Sequence, residues 1–229
     1  MIDRRDEALQ RACPVLAAPL LGVLPAMENG QRVIVASNGV FVQVKRDWLD
    51  CVVRLGGIDA TMPLPYGKMT RSVCFTFGTI PIALLDAFIA AGRAGLPNEI
   101  AGGLIYSPQR TTLRLAIYEP LNSTAHGIEY RMPPLARDES IAADLHTHGV
   151  LPAFWSATDD LDDRSVKVAG VFGNLNREQP SAAFRLVLNG MYRPLAHPWQ
   201  AAARQPVESS ESWPTLEALG FNVGETWII

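Results

Sequence analysis

Asp144-Leu145-His146-Thr147-His148 is the stretch in which residue type and spacing point to chemistry. The two histidines stand one residue apart at the end of an apolar run, Ser140 to Leu145, that reads as a strand. Alternate residues of a strand face one side, so both imidazoles are expected to enter one space. After a loop, Ser156-Ala157-Thr158-Asp159-Asp160 delivers a carboxylate from the first turn of a predicted helix. Two imidazoles and a carboxylate form a usual ligand set for a catalytic zinc, whose fourth position stays open for water. His146, His148 and Asp159 are therefore the candidate metal ligands, with Zn2+ the expected cofactor. Only four histidines occur in the chain, and half of them lie here.

The elements that must position these residues can be read outward from them. Ile100–Tyr106, Thr112–Tyr118 and Gly127–Met132 read as strands before the histidine strand. Val166–Phe172, Ala182–Leu188 and Met191–Leu195 read as a closing meander, with Asn189-Gly190 in one of its turns. Leu84, Leu85, Phe88 and Ile89 recur at helical spacing between Pro81 and Gly92. Further upstream, Val33-Ile34-Val35 and Val40–Val44 flank Asn38-Gly39, a hairpin signal because both turn residues tolerate positive φ. Cys51–Leu55 and Ser72–Phe77 add strand candidates. The fold class expected is α+β, a mixed or antiparallel sheet flanked by helices, with a small β-rich N-terminal module. The domain boundaries read as 1–78 for that module, 79–200 for the domain carrying the histidines, and 201–229 for a Ser/Glu/Pro linker and apolar tail.

Composition narrows the classes. A chain of 229 residues, 48% hydrophobic and 19% charged, has ordinary globular composition. A net charge of −3 without a Lys/Arg-dense patch argues against direct nucleic-acid binding. No apolar run reaches the roughly 18 residues needed to span a membrane. The apolar stretch Cys13–Leu24 is broken by Pro14 and Pro19 and follows acidic residues, unlike a signal peptide. Three cysteines without C-x-x-C spacing fit a reducing, cytoplasmic compartment.

The pattern His-x-His, seven residues, Ser-x-x-Asp resembles the JAMM motif of the JAB/MPN zinc metalloprotease family. That family also places a glutamate upstream, at the start of a strand with small residues behind it, and Glu99-Ile100-Ala101-Gly102-Gly103 fits that place. The run Leu151-Pro152-Ala153-Phe154-Trp155-Ser156 is similar to a bacterial subgroup found in plasmid-associated PRTRC-type systems. Gly149 and Trp155 stand where most family members have proline. The resemblance covers roughly residues 80–196 and implies a JAB/MPN-like mixed sheet with a metal at one edge.

It also implies site roles. Glu99 would be the general base and Ser156 a hydrogen-bond donor to the oxyanion, so both are candidate catalytic residues. Glu119 and Glu129 are rivals for the base, and Ser-x-x-Asp is equally a helix capping pattern. Asp144, Asp160, Asp162 and Asp163 are all candidates to hold the second nitrogen of a ligating histidine. His126 and His197 read as loop residues. The activity implied is hydrolysis of a peptide or isopeptide bond, with the tail of a ubiquitin-like protein or its conjugate as substrate. An E1-like adenylating protein is the further partner implied. The competing reading is a non-catalytic MPN scaffold that mediates protein assembly.

Overall fold

The computed structural model describes residues 3–58 and 64–196. His197, the Ser/Glu/Pro linker and the apolar tail lie outside the described residues. The chain divides into two compact units. One comprises Met1–Thr79 with Tyr106–Thr112 and Asp138–Ser140; the other comprises Ile80–Ile105, Leu113–Arg137 and Ile141–Ile229.

The first unit opens with α1 (Arg4–Ala12), capped by the Asp3 carboxylate, which accepts from the Arg5 N–H. A five-stranded sheet follows in the order β1 (Val15–Ala17), β2 (Gly30–Ala36), β3 (Gly39–Arg46), β4 (Leu49–Gly56), β5 (Ser72–Phe75). β1 runs parallel to β2 and the other pairs are antiparallel. One sheet face carries a core of Ala18, Ile34, Ala36, Phe41 and Val52, against which Leu24, Tyr66 and Met69 pack. The expected hairpin is present, but its turn is shifted by one residue. Ala36 pairs with Gly39, so the loop is Ser37-Asn38 and Gly39 opens the next strand at φ +144°. Asn38 is instead committed through its side chain, which exchanges hydrogen bonds of 2.8 and 2.9 Å with the Met69 backbone.

In the second unit, α2 (Ile82–Gly95) buries Leu85, Phe88, Ile89 and Gly92, the i, i+3, i+4, i+7 stripe of an amphipathic helix. Next come β6 (Ala101–Ser107), β7 (Thr112–Ile117), β8 (Glu119–Thr124), β9 (Gly127–Arg131) and β10 (Ser140–Thr147), of which the end of β6 and the first residues of β7 and β10 count with the first unit. A short helix, α3 (Ala157–Asp162), leads into β11 (Val166–Gly173), β12 (Ser181–Leu188) and β13 (Met191–Leu195). The six-stranded sheet has the order β13-β12-β11-β10-β6-β7, while β8 and β9 form a separate hairpin. β10 and β11 are parallel and β11, β12 and β13 antiparallel, so the sheet is mixed. The last turn is Asn189-Gly190, both at positive φ, as their types lead one to expect.

β11 lies between two neighbours and is buried along most of its length, hence its unbroken apolar sequence. Phe172 on β11 meets Phe88 of α2 and Phe184 of β12 at ring separations of 5.2 and 5.6 Å. This packing fixes the C-terminal ends of β10 and β11, where the histidines emerge. The α+β class with a β-rich N-terminal module is as expected. Two strands were not anticipated, the three-residue β1 and the exposed, polar β8. Among the described residues no helix is long and apolar enough to cross a membrane.

Candidate metal centre

β10 ends between the two histidines, and each flank of that end is tied down. Thr147 donates its N–H to the Ile100 carbonyl at 3.0 Å, and its hydroxyl accepts from the Ile100 N–H at 2.9 Å. The His148 N–H reaches the Phe172 carbonyl of β11 at 2.7 Å. Gly149 then turns the chain away at φ +55°, a conformation that favours glycine. A proline, whose ring locks φ near about −65°, cannot take this conformation. The returning loop lies so close to Gly173 that a Cβ there would collide with the Leu151 carbonyl. Further bonds, Asn174 N–H to Leu151 and Ala153 N–H to the Ser181 hydroxyl, hold it at 2.7 and 2.8 Å.

The loop delivers Ser156 as N-cap of α3, and a full capping box forms with Asp159 at its third position. The Ser156 hydroxyl donates to Asp159 Oδ2 at 2.7 Å, as does the Ser156 N–H. Aspartate thus performs what glutamate or glutamine usually does, and its other oxygen is left for His146. Asp159 Oδ1 lies 3.1 Å from His146 Nε2, and Oδ2 lies 3.8 Å from His148 Nε2. The two Nε2 atoms are 3.2 Å apart.

These separations test whether a metal fits. Ligand atoms around a tetrahedral zinc, bonded at about 2.0–2.1 Å, lie about 3.3 Å from one another. The His146–His148 and His146–Asp159 pairs meet that spacing, the His148–Asp159 pair is wider at 3.8 Å, and one ligand atom from each falls inside a 4.8 Å span. Two imidazole nitrogens converging on one carboxylate are a donor set suited to a divalent ion of borderline softness.

Electrostatics fit the same picture. Burial pushes the His148 imidazole below its ordinary pKa, His146 adds to that, and Asp159 and the Pro152 carbonyl oppose it. A neutral imidazole, the ligating form, is favoured. Burial would raise the Asp159 carboxyl, but the His146 hydrogen bond and charge, with the Ser156 N–H and hydroxyl, hold it well below the usual carboxylate range.

Glu99 is 8% exposed and lines the same hollow of about 290 Å³ as the three candidate ligands. Its backbone is fixed by the β8 end: its N–H bonds the Thr124 carbonyl and its carbonyl accepts from the Ser123 hydroxyl, at 2.8 and 2.6 Å. Burial pushes its carboxyl above the ordinary value; the Asp159 charge adds to this while His146 and His126 oppose it. The rivals lie elsewhere. Glu119 is exposed and paired with Arg131 at 3.1 Å, and Glu129 is exposed on β9; neither lines the hollow. His126, expected as a surface loop residue, is exposed but stands at the rim. Phe154 and Trp155 are also in the wall, with the Phe154 ring 4.4 Å from His148 and Trp155 6.3 Å from His146.

Three of the four carboxylates offered as partners for the histidines have other work. Asp163 and Asp160 receive Arg185 at 2.7 and 2.6 Å, and Lys167 bridges Asp163 to Asp144 at 2.8 Å each. The Arg185 guanidinium also lies over Trp155 and Tyr192, 3.9 and 4.0 Å from the ring centres. This network clamps α3 on both sides of Asp159. Sequence reasoning missed it, since its members come from β10, α3, β11 and β12 and share no spacing pattern.

Comparison with known proteins gives two family matches. Residues 3–76 match a domain of unknown function, DUF2016, and residues 81–187 match the prokaryotic homologs of the JAB domain. No curated protein matches this chain. Among solved structures, the solution structure of protein DSY2949 from Desulfitobacterium hafniense is similar over 51% of this chain and 88% of that one, at 15% identity and a TM-score of 0.40. The match over residues 81–187 supports the JAB family for that part of the chain.

Proposed function

We propose that this protein is a zinc-dependent peptidase of the JAMM type. The observation that carries the reading is the convergence of His146, His148 and Asp159 in one hollow with the buried Glu99. Zinc held by the three would supply Lewis acidity and make water acidic enough to ionise near neutral pH. Glu99, whose pKa is raised by burial, is suited to take the proton of the attacking water. It then passes that proton to the amine nitrogen as the carbon–nitrogen bond breaks. Ser156 fixes Asp159 through the capping box; its hydroxyl, turned away from Asp159 Oδ2 while the Ser156 N–H keeps that oxygen, is the donor proposed for the oxyanion. Phe154 and Trp155 offer apolar walls to an extended chain.

The substrate proposed is the C-terminal tail of a ubiquitin-like protein or its conjugate, with an E1-like adenylating protein as neighbour in a plasmid-borne, PRTRC-type setting in the cytoplasm. The support for this part is the motif resemblance alone. The test is metal content of the purified chain beside His146→Ala/His148→Ala, followed by hydrolysis of a ubiquitin-like fusion. One zinc per chain, lost in the double variant, together with zinc-dependent cleavage is the expected result. Zinc without cleavage of any ubiquitin-like fusion would favour the scaffold reading, and absence of zinc from both would overturn the proposal.

A further inference from the structure

The N-terminal unit contains a second hollow, of about 300 Å³, on one face of its sheet. Strand register places Arg32, Gln43 and Val52 side by side there, with Lys45 opposite Asp50 one step along. Leu24, Met27 and Met69 complete an apolar wall. Arg32 is only 6% exposed. Its Nε donates to the Gln43 amide oxygen at 2.9 Å and one terminal nitrogen to the Pro25 carbonyl at 2.8 Å. Gln43 is held in that orientation by its own N–H, which donates to Asp50 at 3.1 Å. Both partners of the guanidinium are therefore neutral, and neither Arg32 nor Lys45 makes an ion pair with a described carboxylate.

A buried arginine is normally paired, because removing its charge from water costs several kcal/mol without a counter-ion. Among the described residues its second terminal nitrogen meets no acceptor, and the hollow that Arg32 lines is also lined by the Lys45 ammonium side chain. Two cations against the single carboxylate of Asp50 leave room for one negative charge, and Asp50 disfavours a dianion such as phosphate. Planar guanidinium suits a carboxylate. The wall indicates an apolar stem on that carboxylate. Chain leading into the hollow exposes further apolar surface, with Leu20, Leu21 and Val23 at 69%, 90% and 89% exposure. Such a stretch needs a covering if it is not to remain a liability in water.

We propose that this hollow binds a carboxylate of a partner polypeptide, an acidic side chain or a free C-terminus flanked by apolar residues that cover Leu20–Val23. Its lining falls within residues 3–76, which match a domain of unknown function, and shares no residue with the lining of the metal centre.

The full chain, labelled with 13C at its methionine methyls, provides the assay, because Met27 and Met69 line the hollow. Four short peptides distinguish the chemistry: acetyl-Leu-Glu-Leu amide and its Gln counterpart, and acetyl-Leu-Leu as free acid and as amide. Either acid should shift both methyl signals saturably and bind at least about tenfold more tightly than its neutral counterpart. Which acid binds better separates side chain from C-terminus. Arg32→Gln should abolish the shifts; should that variant fold poorly, Lys45→Gln, at a partly exposed strand position, should still weaken binding severalfold. Equal binding of acid and amide, tighter binding of inorganic phosphate, shifts unaltered by Lys45→Gln, or no saturable shift with either acid would overturn the proposal.

Discussion

Thr147 and Ile100 hold each other by two hydrogen bonds, N–H to carbonyl at 3.0 Å and hydroxyl to N–H at 2.9 Å. Thr147 separates the two histidines, and Ile100 follows Glu99. One side chain thus ties the candidate base to the candidate ligands. Thr147→Val keeps the shape and removes the acceptor, leaving a buried N–H unpaired at a cost of about 1–3 kcal/mol. The expected outcome is a chain that keeps zinc within a few-fold while kcat falls more than KM changes. Parallel metal titration and steady-state kinetics check it.

Ser156 supports two roles that one substitution can separate. Ser156→Ala removes the cap of α3 and should lower stability by about 1 kcal/mol. It also leaves Asp159 held by the backbone N–H of this position without the hydroxyl, so zinc affinity should weaken about 10-fold or more. If the hydroxyl also meets the oxyanion, activity at saturating zinc should fall a further ~100-fold or more. Thermal melts, zinc titration and kinetics at saturating metal resolve the three effects.

Glu99 gives a pH signature in metal-free protein. Its folded pKa is raised by burial, so its contribution to stability is fully present below the unfolded value of about 4.3 and is lost as pH rises through the folded value. Glu99→Gln should therefore be more stable than wild type at neutral pH, with the advantage vanishing as pH falls towards 4. The same variant should bind zinc and fail to hydrolyse substrate. Urea unfolding at a series of pH values measures the first effect; a variant no more stable at pH 7 would contradict it.

Arg185 and Asp163 are the buried pair of the clamp, with side chains 5% and 7% exposed. Arg185→Met leaves Asp163 with Lys167 alone and should cost about 3–5 kcal/mol, as is usual when one partner of a buried pair is removed. Zinc affinity should fall as well, since α3 carries Asp159. Arg185→Lys should not restore it, because an ammonium cannot hold Asp160 and Asp163 while stacking between two rings. Denaturant unfolding of the apo form, with zinc titration of both variants, is the measurement.

Much of this was legible in the sequence because the relevant interactions are local. The alternation around Leu145, His146 and His148, and the Ser156–Asp159 spacing, encode one strand end and one helix start. Asn189-Gly190 likewise encodes its own turn. Glu99 was reachable only through the motif resemblance, since its burial depends on β8, whose exposed polar residues carry no strand pattern. The Asn38 turn was misplaced by a residue because its side chain is drawn to Met69, far along the chain. Arg185 had no local signal at all. Its meaning arises only when β12 is laid beside β11.

The parallel pairing of β10 with β11 through α3 has a consequence for how the centre is inherited. All three candidate ligands fall within a single crossover, so closing that loop assembles the ion's cradle at small entropic cost and low contact order. Glu99 arrives from a different part of the topology. In the proposed function, capture of the ion and turnover would therefore be separable traits. On the proposed function, a descendant that sheds the glutamate would still present the three candidate ligands, so a bound ion could serve there as a structural rivet and the step from hydrolase to assembly platform would be short.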